Sequence, residues 1–335
     1  MPPIAASCCC DVIVIGAGPA GTAAASVLAR AGRQTLILAR TGQERPRPRE
    51  TAPVALASLL AAIGVAGTDL ARFAQPCPWR GEDAHPACLQ IDRAGLSVAL
   101  LAAAKRAGAL VIPARASAIR FETAQDPVHV TLEDGRVLAA AMLIDASGAR
   151  QVIRRALRLH RRRLSPPLLA WRGEVAAALE GARFETLSDG WLFLAGADGR
   201  TSWTSLRHSA GPAPVEGRDI LPPTAWDVGW YLVRPVAGPD WRLAGEAGGR
   251  LDPAWGQGLC FAVASGIAAA RSSLATQATP AAAALLAATY DGWFADRLLE
   301  AAATLRTRYA AAGIALGLPP QQAGRPLRRR EQAHG

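Results

Sequence analysis

The sequence predicts an α/β protein: a three-layer unit of parallel strands and helices, an inserted antiparallel β-sheet and a helical C-terminus. Three observations carry this. An apolar run, Asp11-Val-Ile-Val-Ile, feeds three glycines spaced G-x-G-x-x-G (Gly16, Gly18, Gly21) and then an alanine-rich helical pattern. From residue 168 to 235 the pattern changes to short alternating segments separated by turns. After Trp241 the order strand, glycine turn, helix returns, and the remainder is alanine-rich and helical.

Residues 10–40 form the first βαβ unit, closed by a second apolar run, Thr35-Leu-Ile-Leu. This Rossmann-like arrangement holds a dinucleotide pyrophosphate on a helix N-terminus. Gly16 permits the tight turn, Gly18 lets backbone approach the phosphates, and Gly21 lets the helix pack close to the strand. Pro19 and Ala20 complete the turn. An acid about 20 residues on ordinarily grips the adenosine ribose. Here that place falls on Ala39, followed by Arg40, a pair that suits an NADP 2′-phosphate.

A polar, Pro/Arg-rich link occupies residues 41–48. Residues 50–64 read as a helix with Pro53 in its first turn and Gly64 past its end. Residues 68–90 read as irregular. Asp92-Arg93 opens a second helix through about residue 107, with Asp92 suited to cap it. A strand at 110–113 and a hairpin meander at 116–140 follow. Residues 141–148 read as a buried parallel strand running into a glycine turn, Asp145-Ala-Ser-Gly148. Strands are expected around Trp171, at 190–194, at 201–206 and at 226–233, with one wet face. Seven of the nine tryptophans lie between Trp171 and Trp255, and filling the sheet core is the plainest use for most of them.

The formal charge is +10, almost all of it arginine, Lys105 being the sole lysine. Basic runs stand at 154–163 and 325–330, but no aromatic–basic interleaving accompanies them, so no nucleic-acid partner is expected. Six cysteines, three of them consecutive (Cys8, Cys9, Cys10), show neither zinc spacing nor a disulfide framework. Reduced thiols, no metal site and a cytoplasmic location are expected. The first apolar stretch runs straight into the glycine turn and reads as a strand rather than a signal peptide. Arg271 and Pro280 argue against an integral membrane segment in the alanine-rich stretch 260–286.

Four motifs then line up in order. They are the turn at 16–21, Asp92-Arg93, Asp145-Ala-Ser-Gly148-Ala-Arg150, and Gly245-Glu246-Ala followed by Asp252-Pro253-Ala-Trp-Gly256-Gln-Gly258. Together they resemble the FAD-dependent monooxygenases of the para-hydroxybenzoate hydroxylase fold. The branch is similar to the tryptophan halogenases, geranylgeranyl reductases and protein-tryptophan-hydroxylating flavoprotein maturases. Arg49-Glu50-Thr51-Ala-Pro53 resembles a Gly-Glu-Ser/Thr-Leu-Pro segment of that branch, with arginine replacing its glycine.

The resemblance implies an FAD-binding domain at 8–75, 88–160 and 236–285. It implies a substrate sheet at 76–87 and 161–235 and a helical segment with a basic tail at 286–335. By it, Asp145 and Gly148 pack against the glycine turn, and Gly245 with Glu246 (aspartate in the family) holds the ribityl chain. Pro253, Gly256 and Gly258 lie beside the isoalloxazine; Arg40, Glu50, Thr51 and Arg93 complete the cofactor contacts. The implied activity is hydroxylation of an aromatic, indole-type substrate through a flavin hydroperoxide. NAD(P)H is the implied electron donor, and the substrate is a small aromatic molecule or a partner protein's aromatic side chain. No catalytic side chain is assigned. Trp171, Trp191 and Trp203 are candidates to line the sheet face over the flavin, with core packing as the competing role. A reductase of isoprenoid double bonds, or a non-catalytic relic of the fold, shares the same motifs. The halogenase lysine and Trp-x-Trp-x-Ile-Pro motif are absent.

Overall fold

A computed structural model describes residues 9–40, 46–80, 88–121, 127–207, 211–212 and 215–314. The basic run 325–330 and His208, the sheet-region histidine, lie outside the described residues.

The central sheet is ordered Ala237–Gly238, Trp241–Leu243, Val137–Asp145, Cys9–Ile15, Thr35–Ala39, Leu110–Pro113. The last five strands are parallel to their neighbours. Their apolar runs are continuous rather than alternating because both faces are covered: Val12, Ile13 and Val14 are fully buried. Val137–Asp145 has two roles. Its first half pairs antiparallel with Val128–Leu132, and its second half pairs parallel with Cys9–Ile15. The meander and the parallel strand expected from sequence are therefore one continuous element.

The chain direction across this sheet reverses at the first strand. Thr35–Ala39 lies on one side of Cys9–Ile15, and Val137–Asp145 on the other. In open parallel sheets that reversal opens a crevice at the carboxyl ends of the strands, where ligands bind. Helix Pro19–Arg30 packs against both Arg93–Arg106 and Gly258–Ala278. The closeness of the first and last is permitted by Gly266, whose added Cβ would overlap the Ala20 carbonyl. By length and composition Gly258–Ala278 is apolar enough to cross a membrane; here it is packed on Pro19–Arg30.

Three elements differ from the sequence expectation. Glu50–Pro53 is a strand, and the helix begins only at Ala55, because Glu50–Pro53 pairs antiparallel with Cys88–Ile91. The stretch 68–90 is not irregular where described. It carries helix Gly67–Phe73 and strands Ala74–Cys77 and Cys88–Ile91, which build a three-stranded sheet with Glu50–Pro53. These pieces are too short for their periodicity to register. Finally, 226–233 is not one strand. Arg218–Asp227 joins the antiparallel sheet, and Tyr231–Arg234 leaves it to pair with His160–Arg163 and Gly249–Arg250.

The antiparallel sheet is ordered Gly181–Leu187, Gly190–Ala197, Arg200–Arg207, Leu169–Ala176, Arg218–Asp227. Alternation gives it two distinct faces. Trp171, Val175, Leu192, Leu194 and Trp203 share a satellite apolar cluster. Trp191, Ala170 and Leu206 point the other way, into the main core. The long helix Ala283–Ala311 closes the molecule and buries Phe294, Leu298 and Tyr309.

Candidate cofactor site

The carboxyl ends of three neighbouring strands bring the separated motifs together. Ile15 is paired with Asp145, and Asp145 with Leu243. The residues just beyond them are Gly16, Ala146 and Ala244, so the turns at 16–21, 145–148 and 245–246 share one edge of the sheet. Arg40 follows the fourth strand, whose Leu38 pairs with Ile15, and is exposed.

Close packing fixes the glycines. Gly16 has φ +109°, and a Cβ on it would lie 2.5 Å from the Ala146 carbonyl oxygen. A Cβ on Gly21 would overlap the Gly16 carbonyl oxygen. Both glycines are demanded by the protein itself. Gly18 is different: its backbone is extended, and a Cβ would meet nothing within 4 Å. Gly256 and Gly258 also face open space.

Asp145 is fully buried and its oxygens are spent inside the protein. Oδ1 accepts from Ser147 N at 2.9 Å and Oδ2 from Ile153 N at 2.7 Å. Burial pushes its carboxyl above the usual range, against those backbone donors. Asp145 thus braces the turn that carries Gly148. Gly245, at φ +60°, is held by its N–H donating to Ser265 Oγ at 2.9 Å. The Tyr231 hydroxyl donates to the Glu246 carbonyl at 2.8 Å. The Glu246 carboxylate lies beside Gly148 and pairs with Arg250 at 3.1 Å. Arg250 also reaches Asp227 at 2.5 Å.

Glu50, Thr51 and Arg93 form a second group. Arg93 stands 3.5 Å from Glu50, and Arg172, from the antiparallel sheet, stands 3.8 Å from it. Burial lowers the Arg172 guanidinium from its ordinary value; Glu50 acts the other way, and Arg47 and Arg93 add to the lowering. The Arg172 guanidinium also lies over the Trp226 ring, 4.8 Å from its centroid. Strand Glu50–Pro53 packs on helix Gly258–Ala278, and Ala52, Leu259 and Val263 belong to one buried apolar cluster. Arg172 escaped the sequence reading because its partner is more than a hundred residues away; its alternation with Trp171 along one strand was the available signal.

Two observations test whether this edge fits a dinucleotide with a flavin. First, three buried polar atoms of this second group have no hydrogen-bond partner: Thr51 Oγ1, Arg93 Nε and Arg172 Nε. Second, helix starts divide into two kinds. Helix Arg93–Arg106 is capped by Asp92, which accepts from Ala94 N and Gly95 N at 3.1 Å each. Helices Pro19–Arg30 and Gly258–Ala278 have no side-chain cap and no acid in the first turn; the same holds for Ala55–Ala62 and Ala283–Ala311, but only the first two open within a glycine motif. Their uncapped amides present positive dipole ends at the glycine turn and at 256–258. These are the ends a pyrophosphate and an electron-rich flavin ring require. The residues fit the group.

Trp171 and Trp203 do not face this site. Arg172 points toward Glu50, so Trp171 lies on the opposite face with Trp203, in the satellite cluster. Trp191 is on the inner face but fully buried, its indole donating to the Tyr309 hydroxyl at 2.9 Å. Tyr309 donates to Asp252 Oδ2 at 2.8 Å, which also accepts from Trp230 Nε1 at 2.7 Å. Asp252 Oδ1 accepts from Ala254 N at 2.9 Å and caps the turn Pro253–Trp255. Pro253, Gly256 and Gly258 are therefore positioned by a buried carboxylate tied to both the sheet and the C-terminal helix. Among the described residues no group of three His, Cys, Asp or Glu side chains is arranged to hold a metal.

A cleft of about 560 Å³ opens next to this loop, lined by Trp255, Gln257, Phe261 and Trp293 with Arg297 and Arg308 among its polar residues.

Comparison with known proteins agrees with this geometry. The family described as FAD binding domain matches residues 9–67, and that described as Tryptophan halogenase matches residues 61–186. The menaquinone reductase of Mycobacterium tuberculosis (strain ATCC 25618 / H37Rv) is 27% identical over 308 residues, covering 78% of this chain and 75% of the relative. Among solved structures, the peptidyl tryptophan dihydroxylase QhpG superposes with a TM-score of 0.70 at 23% identity, covering 91% of this chain and 74% of that one. The flavin-dependent halogenase CmlS superposes with a TM-score of 0.75 at 18% identity, covering 87% and 63%. The fold is that of the FAD-dependent monooxygenases and halogenases.

Proposed function

We propose that this FAD-dependent oxidoreductase is a monooxygenase that hydroxylates an electron-rich aromatic group, an indole or similar ring, with NAD(P)H as the source of electrons. The observation that carries the reading is the aromatic cleft beside the 253–258 loop. Trp255, Phe261 and Trp293 offer faces to a planar ring, while the arginines at 297 and 308 suit a ring carried on a polar body. A small aromatic molecule fits this description, and so does an aromatic side chain of a partner protein, the kind of substrate named for QhpG.

In this reading the turn at 16–21 holds the pyrophosphate, Gly245 and Glu246 hold the ribityl chain, and loop 253–258 holds the pyrimidine side of the ring. Arg40 meets the adenosine end. Bound FAD supplies the redox and oxygen chemistry. The chain's own work is to bind, orient and keep water out. Glu246 would exchange part of its pairing with Arg250 for the ribityl hydroxyls. Arg93, Thr51 and Arg172 would satisfy their unpartnered atoms on the cofactor or substrate.

A second reading, reduction of an isoprenoid double bond, is favoured by the menaquinone reductase relatives. Oxygen consumption separates the two. The FAD-loaded protein is supplied with NADPH or NADH and an indole substrate, free or within a peptide. A monooxygenase consumes oxygen faster with substrate and yields a product heavier by one oxygen. Anaerobic conversion of a prenylated quinone to a product carrying two more hydrogens in its side chain, with no oxygenated product formed from the indole in air, would overturn the proposal in favour of the reductase.

A further inference from the structure

We propose that Cys77 and Cys88 are a redox-modification site, closing to a reversible disulfide that staples the small sheet beside the cofactor edge. The two cysteines are directly opposite one another on antiparallel strands Ala74–Cys77 and Cys88–Ile91. Both are free and buried, Cys77 at 1% exposure and Cys88 at 9%. The Cys88 thiol donates to the Cys77 carbonyl at 2.8 Å, so its sulfur is already turned across the strand gap. The two side chains also influence each other: proximity to Cys77 lowers the Cys88 thiol, and Cys88 together with burial raises that of Cys77.

Directly opposed side chains have Cβ atoms about 4.5–5.5 Å apart, and a disulfide needs roughly 3.5–4.5 Å. Closure therefore draws the strands together by a fraction of an ångström to an ångström. Strand Ala74–Cys77 is at the edge of its sheet, with Cys88–Ile91 as its sole partner in that sheet. Just beyond Cys77 the chain is held to the antiparallel sheet, where the Ala182 N–H donates to the Pro78 carbonyl and the Arg80 N–H to the Ala182 carbonyl, both at 2.8 Å, so Cys88 supplies most of the shift. The cluster around the thiols, Ala182, Ala195, Trp79 and Phe193, joins the small sheet to the antiparallel sheet. Cys88–Ile91 in turn pairs with Glu50–Pro53 and leads into Asp92-Arg93. The staple would fix the strand pair from which Glu50, Thr51 and Arg93 project.

The oxidant is hydrogen peroxide. The Cys88 thiolate attacks one peroxide oxygen; the O–O bond breaks, one water leaves, and a sulfenic acid remains. The Cys77 thiol then attacks that sulfur, passing its proton to the departing hydroxyl; the S–O bond breaks, and a second water leaves. Two thiols lose two electrons and two protons, and one peroxide becomes two waters.

The test uses the full chain oxidised with peroxide, alkylated after denaturation and cut with trypsin. Cleavage after Arg72, Arg80 and Arg93 puts Cys77 on peptide 73–80 and Cys88 on peptide 81–93. The expected result is one linked species, about 2 Da lighter than the two thiol peptides together and released by dithiothreitol. The Cys77→Ser variant, unable to resolve, should accumulate a dimedone-reactive sulfenic acid on Cys88. Recovery of both peptides separately and fully alkylated, while Cys10 or Cys260 oxidises, would overturn the proposal, as would linkage of either peptide to those cysteines instead.

Discussion

Gly18 and Gly21 stand three residues apart and meet opposite surroundings. A methyl on Gly21 would run into backbone, the Gly16 carbonyl, which cannot swing aside. Gly21→Ala should destabilise the protein by about 3 kcal/mol, at the upper end for overpacking, read as a drop in urea midpoint. A methyl on Gly18 touches nothing in the protein, and its φ of −75° suits any residue. Gly18→Ala should leave the urea midpoint within about 0.5 kcal/mol of the parent while weakening FAD binding, because only the cofactor comes that close. Asp252 gives a pH signature. Burial pushes its carboxyl up to about 6, against hydrogen bonds from Tyr309, Trp230 and Ala254. In the unfolded chain it titrates near 3.9, so between these values the folded state binds the extra proton. Stability should therefore fall as pH rises from about 4 to about 6 and then level off, a loss of about 3 kcal/mol. Asp252→Asn should abolish that component of the pH dependence; denaturation curves of both proteins across the range give the difference. The packing roles of Gly16 and Gly21 were legible from spacing. The partners of Asp252, Glu246 and Arg172 were not, because each contact depends on the fold bringing distant segments together.

At the scale of elements, the informative contrast is between helices that cap themselves and helices that do not. Asp92 satisfies the start of Arg93–Arg106, as the sequence suggested. Two of the uncapped starts, at Pro19 and Gly258, follow glycine motifs that the sequence also displayed. What could not be read was the small sheet. Glu50–Pro53 looked like a helix start because Pro53 precedes an apolar run, and pairing with Cys88–Ile91 overrode that local preference. The C-terminal helix Ala283–Ala311 read simply as alanine-rich, yet through Tyr309 it holds both Trp191 and Asp252. Tyr309→Phe removes both bonds from a residue that is 3% exposed. It should cost about 1–3 kcal/mol in urea denaturation and loosen the 253–258 loop, seen as faster amide exchange there.

Across the whole molecule, the order of strands explains why turns as far apart in sequence as Gly16 and Glu246 share one edge of the sheet. The order in which strands are added reverses at the first strand while all stay parallel, and the motifs that follow the first, the Val137–Asp145 and the Trp241–Leu243 strands lie at the same edge. That convergence was legible because each motif is local and ends a strand or opens a helix. The roof above it was read less well: abundant tryptophan suggested an aromatic face over the cofactor, but alternation sends Trp171 and Trp203 outward and places Arg172 inward. The central claim is that this edge is an FAD cradle whose open glycine faces the cofactor. It is tested most directly by titrating the flavin-free protein and its Gly18→Ala variant with FAD, following flavin fluorescence. The parent should saturate at one FAD per chain, and the variant should bind at least about tenfold more weakly, a difference of about 1.4 kcal/mol. No saturable binding by the parent, or equal affinity in the two proteins, would contradict it.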